Sequence, residues 1–280
     1  MSLGSLAVTS QKAVRAVAGV PLNNVDFFPY PGSSMPWPDT IKYVEAVLLD
    51  DRSGIELPAA VICETVQAEG GINVAPVEWL RSLRALCDRH DILMICDDIQ
   101  VGCGRTGPFF SFERAGIVPD MVILSKSISG YGLPMSVLLM KPELDLWKPA
   151  EHNGTFRGNQ LGFVCGSAAL DYRVSADLEN GVKQRESFVL DFLAEQVLPL
   201  DERLKIRGLG LIWGVDLMLL GDCELASKVV ARCFDAGLMV ERAGRRGQVI
   251  KLLPPLNVEM DVLEEGCKLL RAALAHYLAS

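Results

Sequence analysis

The sequence predicts an α/β fold: a mostly parallel sheet with helices on both faces, followed by a smaller α+β region. Three observations predict it. Short, near-continuous apolar runs recur at 59–63, 92–96, 121–124 and 136–140, and runs of that kind belong to strands buried on both faces. Between the first two runs lies a stretch of helical apolar spacing, the strand–helix–strand rhythm of a parallel sheet. Beyond Asn159 the rhythm changes to a long helical stretch, then strand, helix, short strands and a last helix. The expected division is a large domain over residues 1–170 and a small C-terminal domain over 171–280.

Each element has its own local reason. Residues 39–49 carry Ile41, Val44, Val47 and Leu48 at helical spacing and end near Asp50 and Asp51, after a Pro-, Gly- and aromatic-rich irregular stretch at 23–37. Pro76 suits the first turn of a helix whose Trp79, Leu80, Leu83, Leu86 and Cys87 share one side. The run at 136–140 follows its predecessor so closely that an antiparallel pairing is open to it. A helical stretch runs from about 160 to 197, with Asn180-Gly181 as its expected break. Residues 209–219 read as a strand, 224–236 as a helix, and 238–240 and 249–250 as short strands. In the final helix Leu263, Cys267, Leu270, Leu274 and Tyr277 are spaced four, three, four and three.

Composition excludes several classes. The net charge of -8 argues against a nucleic-acid surface, which carries a basic stripe. No apolar run is long enough to span a bilayer, and Lys12 and Arg15 follow the mildly apolar start instead of preceding it, unlike a signal peptide. The eight cysteines are scattered, with no CxxC pair, which predicts buried reduced thiols in a cytoplasmic protein and no metal site.

Polar residues concentrate where strands end. Asp97-Asp98-Ile99-Gln100 follows the second run and Ser125-Lys126-Ser127 the third. In open α/β sheets ligands bind beyond the carboxyl ends of strands. A lysine there can form a Schiff base with a carbonyl cofactor, or can simply snorkel to solvent. Asp97 closes an apolar strand and needs a partner: a protonated pyridine nitrogen, or nearby backbone amides. Residues 102–107 match GxGxxG literally. Pro108-Phe109-Phe110 nevertheless follows where a phosphate-binding helix should run, and the nearest later acid, Asp120, is misplaced for a ribose. Glu64, with Gln67, Glu69, Gly70 and Gly71 behind it, is either a solvated turn or a substrate-facing loop. Residues 152–159 form a polar, glycine-punctuated loop suited to a phosphate or to plain helix capping.

Taken in order, four segments resemble the class III aminotransferases of the fold-type-I pyridoxal-phosphate family. They are Glu64-Thr-Val-Gln-Ala-Glu-Gly-Gly71, Asp97-Asp-Ile-Gln-Val-Gly-Cys-Gly-Arg-Thr-Gly107, Leu124-Ser-Lys-Ser-Ile-Ser129 and Gly154-Thr-Phe-Arg-Gly-Asn159. The resemblance implies a pyridoxal 5'-phosphate cofactor held by Lys126. It further implies Asp97 on the pyridinium nitrogen, Gln100 on the ring hydroxyl, Ile99 against a ring face, and Thr155 on a phosphate, usually the partner subunit's. Glu64 matches a family glutamate that pairs with a C-terminal cation, here Lys251, which gives Glu64 and Lys251 substrate-binding roles. Arg207, Trp213 and Tyr131 are plausible near the site, and core packing or surface pairing explains them equally well. A homodimer or higher homo-oligomer is implied too, as is a segment ahead of Met1 that would help hold the cofactor. The wording of 102–113, 125–134, 151–158 and 251–256 points within the family to transfer between L-glutamate and aspartate 4-semialdehyde in ectoine synthesis. Other ω-amine substrates (ornithine, acetylornithine, 4-aminobutyrate) stay open, and so does a truncated, inactive remnant.

Overall fold

The computed structural model describes residues 2–32, 35–130 and 132–278. Two compact units are formed, Met1–Ala59 and Ala60–Ser280. In the first, short helices α1 (Leu3–Val8) and α2 (Lys12–Ala16) precede α3 (Trp37–Leu49). Thr40, Val44 and Leu48, successive turns apart, are the buried face of α3, and Pro36 stands at its N-cap position.

The second unit opens with β1 (Ala60–Cys63), a small hairpin of β2 (Val66–Gln67) and β3 (Asn73–Val74), and α4 (Val77–Arg89). All five residues assigned to the inner side of α4 are buried, and burial of each large side chain is worth roughly 2 kcal/mol. Next come β4 (Leu93–Asp97), β5 (Met121–Leu124) and β6 (Val137–Met140). Their sheet has the order β1-β4-β5-β6. The first two pairings are parallel and the last is antiparallel. Edge position explains why β1 is only half-buried and why Leu138 and Leu139 of β6 are exposed.

Helices α5 (Gln160–Ser175) and α6 (Leu178–Phe192) lead to the second sheet, α6 continuing as a π-helical turn over Leu193–Val197. The expected break at Asn180-Gly181 is not there. The chain turns instead at Asp177, whose φ is +46°, and the Asn180 amide donates to the Asp177 carboxylate at 2.8 Å. A glycine inside a helix costs only about 1 kcal/mol, too little to stop one that packing supports.

The expected strand at 209–219 is a hairpin: β7 (Lys205–Leu209) and β8 (Ile212–Asp216) pair antiparallel around Gly210. After α7 (Leu225–Asp235) follow β9 (Glu241–Ala243) and β10 (Val249–Leu252), so the strand expected at 238–240 begins later. The sheet order is β7-β8-β10-β9, and α8 (Met260–Leu278) buries Leu263, Cys267, Leu270 and Leu274 as the spacing predicted. These pack with Leu211, Val215 and Val229 into one apolar core. Among the described residues no helix is long and apolar enough to cross a membrane.

Candidate active site

Three neighbouring strand ends build the site. Cys63 lies opposite Cys96 and Asp97 opposite Ile123, so β1, β4 and β5 finish side by side. The residues just beyond or at those ends are Glu64, Asp97 and Lys126. Ser125 is fully extended and its hydroxyl donates to the Met135 carbonyl at 2.8 Å. Lys126 then takes φ +51° and opens a 3-10 turn over Lys126–Ser129. The left-handed conformation costs a side-chain-bearing residue roughly 1 kcal/mol, and here it ends the strand abruptly with the lysine exposed. Lys126 lines a cavity of about 640 Å³ with Glu69, Gln100, Glu241, Arg242, Gly247 and Leu253. That size suits a small-molecule ligand.

Charges around the cavity shift one another. Burial pushes the Asp97 carboxyl above its usual range, while the Ile99 N–H, donating at 3.0 Å, and the nearby Lys126 charge act in the opposite direction. Burial also raises Glu64, to about 7, against the Ala68 N–H that donates to it at 3.2 Å; the Asp97 and Glu69 charges push the same way as burial. Lys251 is almost completely buried. Its Nζ donates to Glu69 at 2.6 Å, to Glu241 at 2.9 Å and to Gln100 at 3.5 Å. Burial disfavours its charge, but the two carboxylates outweigh burial and hold the ammonium above its ordinary range. Glu69 responds reciprocally: despite burial, the Lys251 hydrogen bond brings it down. The Gln100 amide completes the group by donating to Glu69 at 3.2 Å.

The expected residues divide accordingly. Lys126 and Gln100 line one cavity, with Asp97 in the charge environment of Lys126, and Lys251 is tied to Glu69 and Gln100 of that lining. Ile99 is half-buried in the turn between Asp97 and Gln100. The partner expected for Lys251 was Glu64; the acids paired with it are Glu69 and Glu241. Thr155 sits in the exposed loop 151–159 and is not part of the cavity lining. Trp213 is core, its indole N–H donating to the Gly210 carbonyl at 2.8 Å, and Arg207 ties the Gly71 carbonyl to Asp216. Tyr131 lies outside the described residues.

Asp98, beside Asp97, has a different job. It is buried and accepts from the Ser111 N–H at 2.9 Å and from the Ser111 hydroxyl, closing the loop 98–111 on itself. The GxGxxG segment inside that loop continues in turns without a helix to receive a phosphate. The Cys96 thiol is pushed far up by its hydrogen bond with Cys63 and by burial, which leaves it protonated and unreactive.

The amine of Lys126, the partly buried carboxyl of Asp97 and the amide of Gln100 form a donor set that fits a pyridine aldehyde, whose nitrogen needs an acid and whose carbonyl needs an amine. Residues 1–274 match the aminotransferase class-III family. The chain belongs to that family. Class-III aminotransferases are pyridoxal-phosphate-dependent enzymes. Two diaminobutyrate–2-oxoglutarate transaminases, of Bordetella parapertussis (strain 12822 / ATCC BAA-587 / NCTC 13253) and Streptomyces anulatus, are each 50% identical to this chain, covering 100% and 96% of it. The chain spans 64% of the length of both relatives. Among solved structures, a Bacillus anthracis aminotransferase is 25% identical with a TM-score of 0.88, covering 98% of this chain and 66% of that one. An N-acetylornithine aminotransferase from Stenotrophomonas maltophilia K279a is 30% identical with a TM-score of 0.71, covering 87% and 61%. The fold class is thus the fold-type-I aminotransferase one that the sequence predicted.

Sequence reasoning missed Glu69 as the partner of Lys251, and it missed Glu241, Arg242, Gly247 and Leu253 altogether. The hairpin register held the signal, since Glu241 lies directly across from Lys251. With β9 placed at 238–240 that pairing was invisible.

Proposed function

We infer that the protein transfers an amino group between L-glutamate and aspartate 4-semialdehyde, giving L-2,4-diaminobutyrate and 2-oxoglutarate, as in ectoine synthesis. The chemistry is carried by one observation: a lysine and a partly buried carboxylate at neighbouring strand ends, beside a cavity of ligand size. The choice of substrates is supported by the 50% identity to transaminases of that name. When bound, pyridoxal phosphate supplies a sink for the electrons released as the substrate's C–H bond breaks.

The chain's own residues have these parts. Lys126 would hold the cofactor, and its Nζ would serve as the base that accepts the substrate proton and the acid that gives it back. Asp97 would pair with the ring nitrogen and keep it protonated, and its partly buried setting would make that ion pair stronger than in water. Gln100 would hold the ring hydroxyl, Ile99 would pack against the ring, and Thr155 would hold the phosphate bound by the partner subunit of a homodimer. Lys251 serves substrate binding by fixing Glu69 and Glu241 at the cavity wall, and Glu64, with its raised proton affinity, adds an acid that is half protonated near neutral pH. The division at about residue 170 into cofactor-binding and small domains, and a cytoplasmic location, belong to the same reading.

The test is spectroscopic. Adding pyridoxal phosphate to the protein is expected to produce a visible absorbance band that K126A does not form. L-glutamate and L-2,4-diaminobutyrate are expected to discharge the band faster than ornithine, acetylornithine or 4-aminobutyrate. A band that persists in K126A, or faster discharge by one of the last three amines, overturns the assignment.

A further inference from the structure

The wall of the cavity away from Lys126 carries two charges whose bonding capacity is not used up. Glu241 gives its Oε2 to Lys251, and its Oε1 has no hydrogen bond among the described residues. The Glu241 side chain is 69% exposed. Arg242, next in sequence and lining the same cavity, has no hydrogen-bond or ion-pair partner among the described residues. The two do not pair with each other because successive side chains of an extended strand diverge. Both residues line the cavity, so a carboxylate and a guanidinium of opposite sign border one ligand-sized space.

Lys251 does not serve this space. An ammonium has three N–H groups, and those of Lys251 already meet Glu69, Glu241 and Gln100. A ligand carboxylate brought there would have to displace one of its own kind. What Lys251 does instead is hold Glu241 in place from behind, since with 1% of its side chain exposed it has little freedom to move. Two carboxylates share one buried ammonium, so the Glu69–Lys251–Glu241 group carries one net negative charge, which favours a cationic ligand group beside Glu241, while Arg242 supplies the positive charge next to it.

The geometry points to a clamp for the zwitterionic head of an α-amino acid: Glu241 receives the α-ammonium and Arg242 the α-carboxylate. The clamp deepens the reading above, because a substrate so held presents the amine at its far end to Lys126. Glu241 then determines specificity, separating diamino acids from ω-amino acids that have a carboxylate but no α-ammonium. Lys251 is a positioning residue.

Two amines differing only in that group provide the test, L-2,4-diaminobutyrate and 4-aminobutyrate. The ratio of their kcat/KM values with 2-oxoglutarate is expected to fall about tenfold or more in E241Q. In R242Q both values fall together and the ratio holds, since both amines carry the carboxylate. A structural effect relayed through Lys251 would also lower both values in E241Q and leave the ratio unmoved, and that result overturns the clamp. Calorimetry on the protein before cofactor loading decides the point separately. L-2-aminobutyrate is expected to bind more tightly than butyrate, with the difference lost in E241Q; equal binding in the parent, or a difference kept in E241Q, overturns the clamp. If neither amine is turned over while the calorimetric difference is found and then lost in E241Q, the clamp stands and the assigned reaction falls.

Discussion

At the residue scale, single side chains at this site were legible where their reasons were local. Lys126 and Asp97 end apolar runs, and a charged group in that position has to be explained whatever the fold. Gln100 followed from them. The acid paired with Lys251 was not legible, because Glu64 and Glu69 sit five residues apart in one loop and only the folded turn decides which of them reaches residue 251. Glu64 instead has burial as its dominant influence, and that yields a pH prediction. Its folded value of about 7 lies above its ordinary 4.5. For an acid raised in this way the associated stability is complete below the unfolded value and is lost as pH rises through the folded one. E64Q, which cannot ionise, is expected to match the parent below about pH 4.5 and to become the more stable protein between there and about pH 7. The gain should level off at roughly 3 kcal/mol, since a tenfold change in proton affinity is worth about 1.4 kcal/mol. Urea denaturation of both proteins at pH 4.5, 6 and 8 checks it; parallel curves would remove Glu64 from the account of this site.

Elements were legible to the extent that one face met one environment. Helices α4 and α8 carry an unbroken apolar stripe, and the structure buries it as read. Strands β7 and β9 carry Lys205, Arg207, Glu241 and Arg242, so neither shows an apolar run. Their strand character comes from pairing with β8 and β10, information that no short window contains. One side chain fastens α4 to the first sheet. Asp120 precedes β5; its carboxylate accepts from Arg84 of α4 at 2.6 Å, from the Met94 N–H of β4 at 2.7 Å and from Lys141 after β6 at 2.6 Å. Burial works against its charge, but the Lys141, Met94 and Arg84 hydrogen bonds bring it down to about 2. A depressed acid gives stability that is present above its unfolded value of 3.8 and lost as pH falls toward 2. D120A is expected to lose about 3 kcal/mol at pH 7, because Arg84 keeps its burial and loses its principal partner. The gap between parent and variant should narrow as pH falls from 4 toward 2. Chemical denaturation measures both, and a gap independent of pH would show that packing rather than charge accounts for the loss.

At the scale of the whole molecule, the fold class was legible from rhythm alone, whereas the connection between the two sheets was not. Residues 102–107 match GxGxxG literally, and the actual task of the loop 98–111 that contains them is mechanical. Asp98 closes the loop on Ser111 at one end. At its middle Arg105, a buried residue, donates to the carbonyls of Leu211 at 3.0 Å and Pro254 at 2.5 Å, and its own carbonyl accepts from the Leu211 N–H at 2.8 Å. Gly210 takes φ +58° beneath this contact, and a Cβ there would strike the Arg105 carbonyl and Thr106. The loop from the first sheet is thereby bolted to the hairpin and the strand exit of the second. Among the described residues the guanidinium has carbonyl partners only, and burial brings its proton affinity down to about 10. The cavity draws Gln100 and Lys126 from the first sheet and Glu241, Arg242 and Leu253 from beside the second, so its shape depends on this bolt. R105A leaves the Leu211 and Pro254 carbonyls without this donor, at about 1–3 kcal/mol each when buried. The variant should therefore unfold at lower urea, over a broader range, and bind cavity ligands more weakly. R203A, which removes only an exposed ion pair with Asp201, should do neither. If R105A lowered the urea midpoint yet left ligand binding intact, each sheet would be holding its share of the cavity unaided, and the loop would serve stability alone.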